Sequence, residues 1–156
     1  MVQEYIPEDE GEYTIGVLSF PDTEVLGSIV MKRIFNSKLS VAYRGKSGLI
    51  SSGYSQGLIY RNREIEKQAI EIAKAIGSKG PINIQGRIRN GKIVPFEINP
   101  RFSASTYLRA MAGFNEIDFF LQFLQDGIRE FDFKINEGYY LRSFEETYVP
   151  LSLIEE

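Results

Sequence analysis

The chain contains no cysteine and no histidine. Disulfide scaffolds, thiolate metal sites, Ser-His and Cys-His triads and imidazole acid–base catalysis are therefore excluded. No apolar run approaches the roughly 20 residues of a membrane span. The opening residues, MVQEYIPEDEGEY, are acidic and lack an apolar core, so no signal peptide is read and a cytoplasmic protein is expected. Nor is basic charge in excess. Eighteen Lys and Arg against 21 Asp and Glu leave a net charge of -3, which argues against nucleic acid or an anionic membrane as a partner. Internal repeats and low-complexity linkers are also missing.

What remains is ordinary for a folded domain: 43% hydrophobic and 25% charged residues over 156 positions, enough for one domain spanning 1–156 with a real core. VQEYI, directly after Met1, has the pattern of a strand. GEYTIGVLSF (11–20) and VLGSIVMKRIF (25–35) are β-rich runs around the turn residues PDTE, and predict a hairpin. Residues 36–57 look loop-like, with room for a short strand. Asn62 can cap a helix in which Ile65, Ala69, Ile72, Ala73 and Ile76 recur at helical spacing before Gly77 stops it. INIQGRIR and KIVPFEIN flank Asn90-Gly91 and predict a second hairpin. Helices are expected over roughly 105–112 and from Glu116 to about Gln125, the latter capped by Asn115 with a Phe114–Phe119 staple. A last strand is expected over 139–149. The fold class is α+β, an antiparallel sheet with packed helices.

The second hairpin carries the chemistry. Alternation puts Glu97 and Asn99 on one face of their strand, with Val94, Phe96 and Ile98 on the other. The preceding strand turns Asn83, Gln85 and Arg87 away from Ile82, Ile84 and Ile88. A two-residue Asn90-Gly91 loop would set Ile84 against Glu97 and split both faces. A three-residue loop unites the apolar residues on one side and brings Gln85 beside Glu97, so burial of one face favours the three-residue loop. The polar face then holds one carboxylate and three amides, with Arg101 beyond Pro100. Such oxygen-rich sets suit Mg²⁺, which shares one or two carboxylates with substrate phosphates. An Arg at the end of the set can neutralise a phosphate that the metal also holds. On spacing alone, a solvated polar strand face explains the same pattern.

FEINPRFSAS resembles the metal-binding signature E-x-N-P-R of the ATP-grasp superfamily, and it is most similar to the carbamoyl phosphate synthetase-like members, which continue E-x-N-P-R-x-S. The resemblance implies that Glu97 bridges two Mg²⁺ (or Mn²⁺) ions, that Asn99 binds the second, and that Arg101 contacts the transferring phosphate as the catalytic group. It also implies a metal ligand about a dozen residues earlier on the neighbouring strand, where the carbamoyl phosphate synthetase type has Gln and this chain has Gln85. VQEYIPEDEGEYTIGVL is similar to the family's nucleoside-binding segment. By that likeness Glu4 and the backbone through Ile6 recognise adenine and Glu12 holds the ribose hydroxyls. The same likeness implies that Phe96 packs on adenine and that Arg33 contacts phosphate. Read as residues alone, Phe96 is plain core and Arg33 a solvated basic strand end.

Two departures bear on the function. The family's grasp has two α+β halves with ATP between them, and the Gly-rich phosphate loop precedes the adenine segment. Only three residues precede Glu4 here, so the likeness implies a C-terminal half that needs the missing N-terminal half. GKSGLISSG (45–53) follows the adenine segment instead, and is read as a substrate-side or surface loop. Ala104 stands where carbamoyl phosphate synthetases carry a second Arg, which points away from carbamoyl phosphate synthesis itself. The resemblance implies half of a ligase that uses Mg·ATP to activate a small carboxylate as an acyl phosphate for an amine-type nucleophile. Two rival readings are a non-catalytic protein-interaction module, with Phe119, Phe120 and Phe123 on one helix leaving room for an interface, and a single-stranded nucleic-acid binder using Tyr43, Tyr54 and Tyr60.

Overall fold

The structure is a computed structural model that describes residues 4–7, 9–35, 40–45, 48–53 and 56–142. The first hairpin forms as its turn residues predict: β1 (Glu12–Ser19) pairs antiparallel with β2 (Val25–Arg33). Within the stretch expected as loop with room for a short strand, β3 (Ser40–Gly45) and β4 (Gly48–Gly53) pair as a separate two-stranded sheet. β5 (Gly57–Ile59) then returns to pair with β2. Residues 4–7 form no strand, which corrects the reading of VQEYI from Glu4 onward; residues 2 and 3 lie outside those described.

Helix α1 (Arg63–Ala75) begins where Asn62 accepts the Ile65 N–H at 3.1 Å, a cap that contributes about 1 kcal/mol. Gly77 follows the helix with φ +65°, a conformation that costs glycine nothing. Strands β6 (Pro81–Arg89) and β7 (Lys92–Asn99) form the second hairpin. Helix α2 (Thr106–Met111) and helix α3 (Glu116–Asp126) follow, the second capped by Asn115 accepting the Asp118 N–H. The Phe114 and Phe119 rings meet edge to face with centroids 5.6 Å apart, the expected staple. β8 (Gly138–Tyr140) overlaps the start of the last predicted strand, and residues 143–149 lie outside those described.

Six strands make one antiparallel sheet in the order β7-β6-β1-β2-β5-β8. Its two faces have different covers. Odd-numbered positions of β1 (Tyr13, Ile15, Val17) join Ile82, Ile84 and Ile88 under Ile65, Ala69 and Ala73 of α1. On the opposite face Leu18, Ile29, Met31 and Ile59 pack under Leu108, Ala112, Phe114, Phe119 and Ile135. The second cover ends before the β6–β7 edge, where Glu97 is exposed. α1 therefore seals one side, and α2 and α3 leave a polar shelf open on the other.

The register of the second hairpin is correct at the shelf for a reason the sequence reading missed. Its loop is two residues, with Asn90 at φ +53° and Gly91 at φ +70°, the double left-handed conformation that Asn-Gly favours. That loop pairs Ile88 with Ile93 and Gly86 with Pro95. A β-bulge then leaves Phe96 unpaired, and beyond it Gln85 faces Glu97 and Asn83 faces Asn99. The predicted three-residue loop is replaced by a tight turn plus a bulge. Consequently Ile93, not Val94, packs against the core, and Phe96 is 41% exposed rather than buried.

Candidate functional site

The shelf is built by four amide and carboxylate side chains on two strands. Gln85 and Glu97 are direct cross-strand partners, as are Asn83 and Asn99. Asn99 Nδ2 donates to Glu97 Oε1 at 2.8 Å, which commits the Asn99 amide nitrogen to the carboxylate and leaves its oxygen for other contacts. Beyond Pro100, the Arg101 N–H returns to the Asn99 carbonyl at 2.9 Å, and the exposed Arg101 guanidinium donates to the Phe102 carbonyl at 3.0 Å. The proline keeps the chain from continuing as strand and places a cation one step past the carboxylate.

Towards the other end of the same face lies a buried charge cluster. Glu12 and Arg87 are partners across β1 and β6. Glu12 Oε1 accepts from Arg33 Nη1 at 2.7 Å, and Oε2 accepts from Arg87 Nε at 3.0 Å. All three side chains are buried. Burial pushes the Arg33 guanidinium below its ordinary value, opposed by the charges of Glu12 and of Glu97. Arg33 thus feels the shelf carboxylate as well as its own partner. Arg87 also donates to the Ile6 carbonyl at 2.5 Å and lies 5.2 Å from the Tyr5 ring centroid. Glu4 pairs with Arg89 at 2.8 Å on the surface.

Of the residues singled out in the sequence, Gln85, Glu97 and Asn99 come together, with Arg101 following them. Glu12 and Arg33 meet each other, and Arg87 ties Ile6 to them. Glu4 is held at the far end of β6 by Arg89. Several functional candidates were not singled out. Arg87 alternates with Gln85 along β6 and was legible as part of the polar face. Arg109 had no such signal, because a single Arg on a short helix looks solvent-exposed. It is instead 1% exposed and paired with buried Glu116 at 3.1 Å. On α3, Phe119 is buried, Phe120 packs half-buried against the second core, and Phe123 stacks on Phe20 with centroids 4.3 Å apart. Tyr60 packs at the first core and meets the Tyr13 hydroxyl at 3.4 Å. The side chains of Tyr43 and Tyr54 lie outside those described.

The donor set fits a hard divalent cation. Glu97 supplies an exposed carboxylate, Gln85 lies directly across, and the Asn99 oxygen is uncommitted. That set is carbonyl and carboxylate oxygen without nitrogen or sulfur, the preference of Mg²⁺ or Mn²⁺. Among the described residues no three carboxylates converge, so a cation here takes its remaining ligands from water or from a bound anion. No helix among the described residues is long and apolar enough to cross a membrane.

Comparison with known proteins gives three findings. Among curated proteins there is no match. Among solved structures, an L-amino acid ligase from Bacillus licheniformis is similar at 18% identity and a TM-score of 0.44, over 74% of this chain. The chain spans 28% of that structure's length. The family described as "ATP-grasp in the biosynthetic pathway with Ter operon" matches residues 1–147. With residues 1–147 of its 156 matched, the chain belongs to this ATP-grasp family.

Proposed function

We propose that this chain is the C-terminal half of a cytoplasmic, Mg·ATP-dependent ligase that activates a carboxylate as an acyl phosphate for attack by an amine-type nucleophile. The observation that carries the reading is Gln85 directly across from Glu97, with Asn99 bonded to the same carboxylate, on an open shelf of an ATP-grasp family member. Gln85, Glu97 and Asn99 would hold the cations, whose charge would neutralise the phosphates. Arg101, one step past the shelf, supports the reading as the cation that stabilises charge on the transferred phosphoryl group. Phe96, turned out by the bulge, offers a ring to the base, and Ile6 and Glu4 line the segment that meets adenine. Arg33 contributes positive potential from beneath the shelf, and Glu12 holds Arg33 in place besides any contact with ribose. Catalysis of this kind needs positioning and charge but no side-chain nucleophile, which suits a chain without His or Cys. A second half supplies the opposite wall of the cleft. The motif's likeness to carbamoyl phosphate synthetases extends to the use of Gln as metal ligand.

Calorimetric titration with ADP and a non-hydrolysable ATP analogue, with and without Mg²⁺, tests the reading. Binding strengthened by Mg²⁺, and lost in Glu97→Gln without a change in melting temperature, is the expected result. Binding that survives Glu97→Gln unchanged removes the metal assignment. A second reading, a non-catalytic interaction module, draws on Ile117, Leu121 and Leu124, which stand exposed on α3. Such a module has no reason to bind nucleotide in a manner dependent on Mg²⁺ and Glu97, so the same titration separates the two.

A further inference from the structure

Asn83 lies two residues before Gln85 on β6 and directly across from Asn99. Its amide has one acceptor end and one donor end. The acceptor end is occupied twice: Oδ1 receives Thr14 Oγ1 at 2.8 Å and Arg109 Nη2 at 2.5 Å. A guanidinium carries donors only, so the contact with Arg109 is compatible with one orientation of the amide. Thr14 belongs to β1, and the Arg109 guanidinium lies over Gly16 of the same strand, where an added Cβ would fall 2.5 Å from Nη1. Both partners thus hold the oxygen towards β1, and the Nδ2 donor is left towards β7 and Asn99. Asn83 is only 2% exposed, and among the described residues its Nδ2 meets no acceptor.

The arrangement behind this amide is costly. Arg109 and Glu116 are both buried, and Thr106 Oγ1 donates to the same Glu116 oxygen at 2.7 Å. Arg109 Nε and Glu116 Oε2 have no hydrogen-bond partner among the described residues. A buried ion pair that leaves an enclosed donor and an enclosed acceptor unpaired adds little stability compared with an apolar replacement. What the pair does achieve is a fixed cation that dictates which end of Asn83 faces the shelf.

We propose that Arg109 is a positioning residue that presents the Asn83 amide nitrogen as a hydrogen-bond donor to an anionic oxygen of the phosphate class at the Gln85–Glu97–Asn99 site. The inference rests on the nucleotide reading of that site. With its oxygen committed to Arg109 and Thr14, Asn83 is not a metal ligand, although its neighbours are.

Asn83→Asp separates this role from a structural one. The substituted side chain is nearly isosteric and keeps an acceptor oxygen for Arg109 and Thr14, but it replaces the presented donor by an acceptor. The chain of residues 1–156 and its Asn83→Asp, Arg109→Met and Glu97→Gln variants are melted without ligand, then titrated with Mg²⁺ alone and with ADP in saturating Mg²⁺. Asn83→Asp is expected to melt at or above the wild-type temperature and to bind Mg²⁺ at least as well. Its ADP affinity falls about tenfold or more, the effect of losing one hydrogen bond to a charged group. Arg109→Met weakens ADP in the same direction, and Asn83→Asp in that background adds little further loss. ADP affinity within about twofold of wild type in Asn83→Asp overturns the proposal while leaving the site reading intact. A wild-type chain without Mg²⁺-dependent ADP binding overturns the site reading and the proposal with it. If Glu97→Gln keeps ADP binding that Asn83→Asp loses, the donor role stands and the metal assignment falls.

Discussion

Glu12 shows how one side chain can combine a candidate ligand role with a structural one. Its carboxylate, 1% exposed, lies between the guanidiniums of Arg33 and Arg87. Glu12→Gln removes the carboxylate that lies between two buried cations, and is expected to destabilise the chain by about 3–5 kcal/mol in urea unfolding. A loss below about 1 kcal/mol would mean that the cluster is solvated and that Glu12 is held for ligand alone. Gly16→Ala acts on the other buried cation, by pushing a methyl group into the Arg109 guanidinium. It should cost about 1–3 kcal/mol by the same measurement, with Mg²⁺-dependent ADP binding weakened in parallel if Arg109 positions Asn83. The likeness to a nucleoside-binding segment marks Glu12 as a candidate in the sequence, but its partners lie 21 and 75 positions away. Periodicity within one strand cannot reveal pairing of that range.

The β6–β7 hairpin shows both the reach and the limit of pattern reading at the level of an element. Burial of one face correctly demands Gln85 beside Glu97. It does not say how the chain achieves that register, and the answer is a bulge at Phe96 rather than a longer loop. The reason is local. Asn90-Gly91 so favours the tight left-handed turn that the extra residue is absorbed elsewhere, next to Pro95, which donates no ladder bond. Gly86 sits opposite the bulge, and an added Cβ would lie 2.9 Å from the Val94 carbonyl oxygen. Gly86→Val should therefore disturb the bulge and separate Gln85 from Glu97. The expected outcome is loss of Mg²⁺-dependent nucleotide binding with a stability loss of about 1–3 kcal/mol, measured by titration and thermal melting on the same sample. Retained binding would mean that the pairing of Gln85 with Glu97 does not depend on the bulge. Gly91→Ala, at φ +70° in the turn itself, should cost about 1 kcal/mol and leave binding unchanged. The helices were more legible, since Asn62, Gly77 and Asn115 mark their ends by capping chemistry that acts within four residues.

Across the whole molecule, the second core depends on a stretch without regular secondary structure. Phe131 and Phe133 pack against the cluster that contains Phe114 and Phe119, and Ile135 is buried in it. The Asn136 N–H donates to the Ala112 carbonyl at 2.9 Å, and Gly113 passes so close to the Lys134 carbonyl that an added Cβ would fall 2.2 Å from it. Truncation after Gly127 should therefore expose one face of the sheet, abolish cooperative melting or lower it steeply, and bind an apolar dye such as ANS. A truncated chain that melts like the full one would show that this stretch is ornament. No periodicity predicts its packing, because its aromatic residues alternate without a helix or a ladder to carry them. The bulge has one further consequence. β7 is the last strand on its side of the sheet, and a straight strand there would offer its unpaired backbone to any passing chain as a template. With Pro95 lacking a donor and Phe96 out of line, that template is broken in the middle, so the edge that presents the carboxylate is also protected against edge-to-edge aggregation.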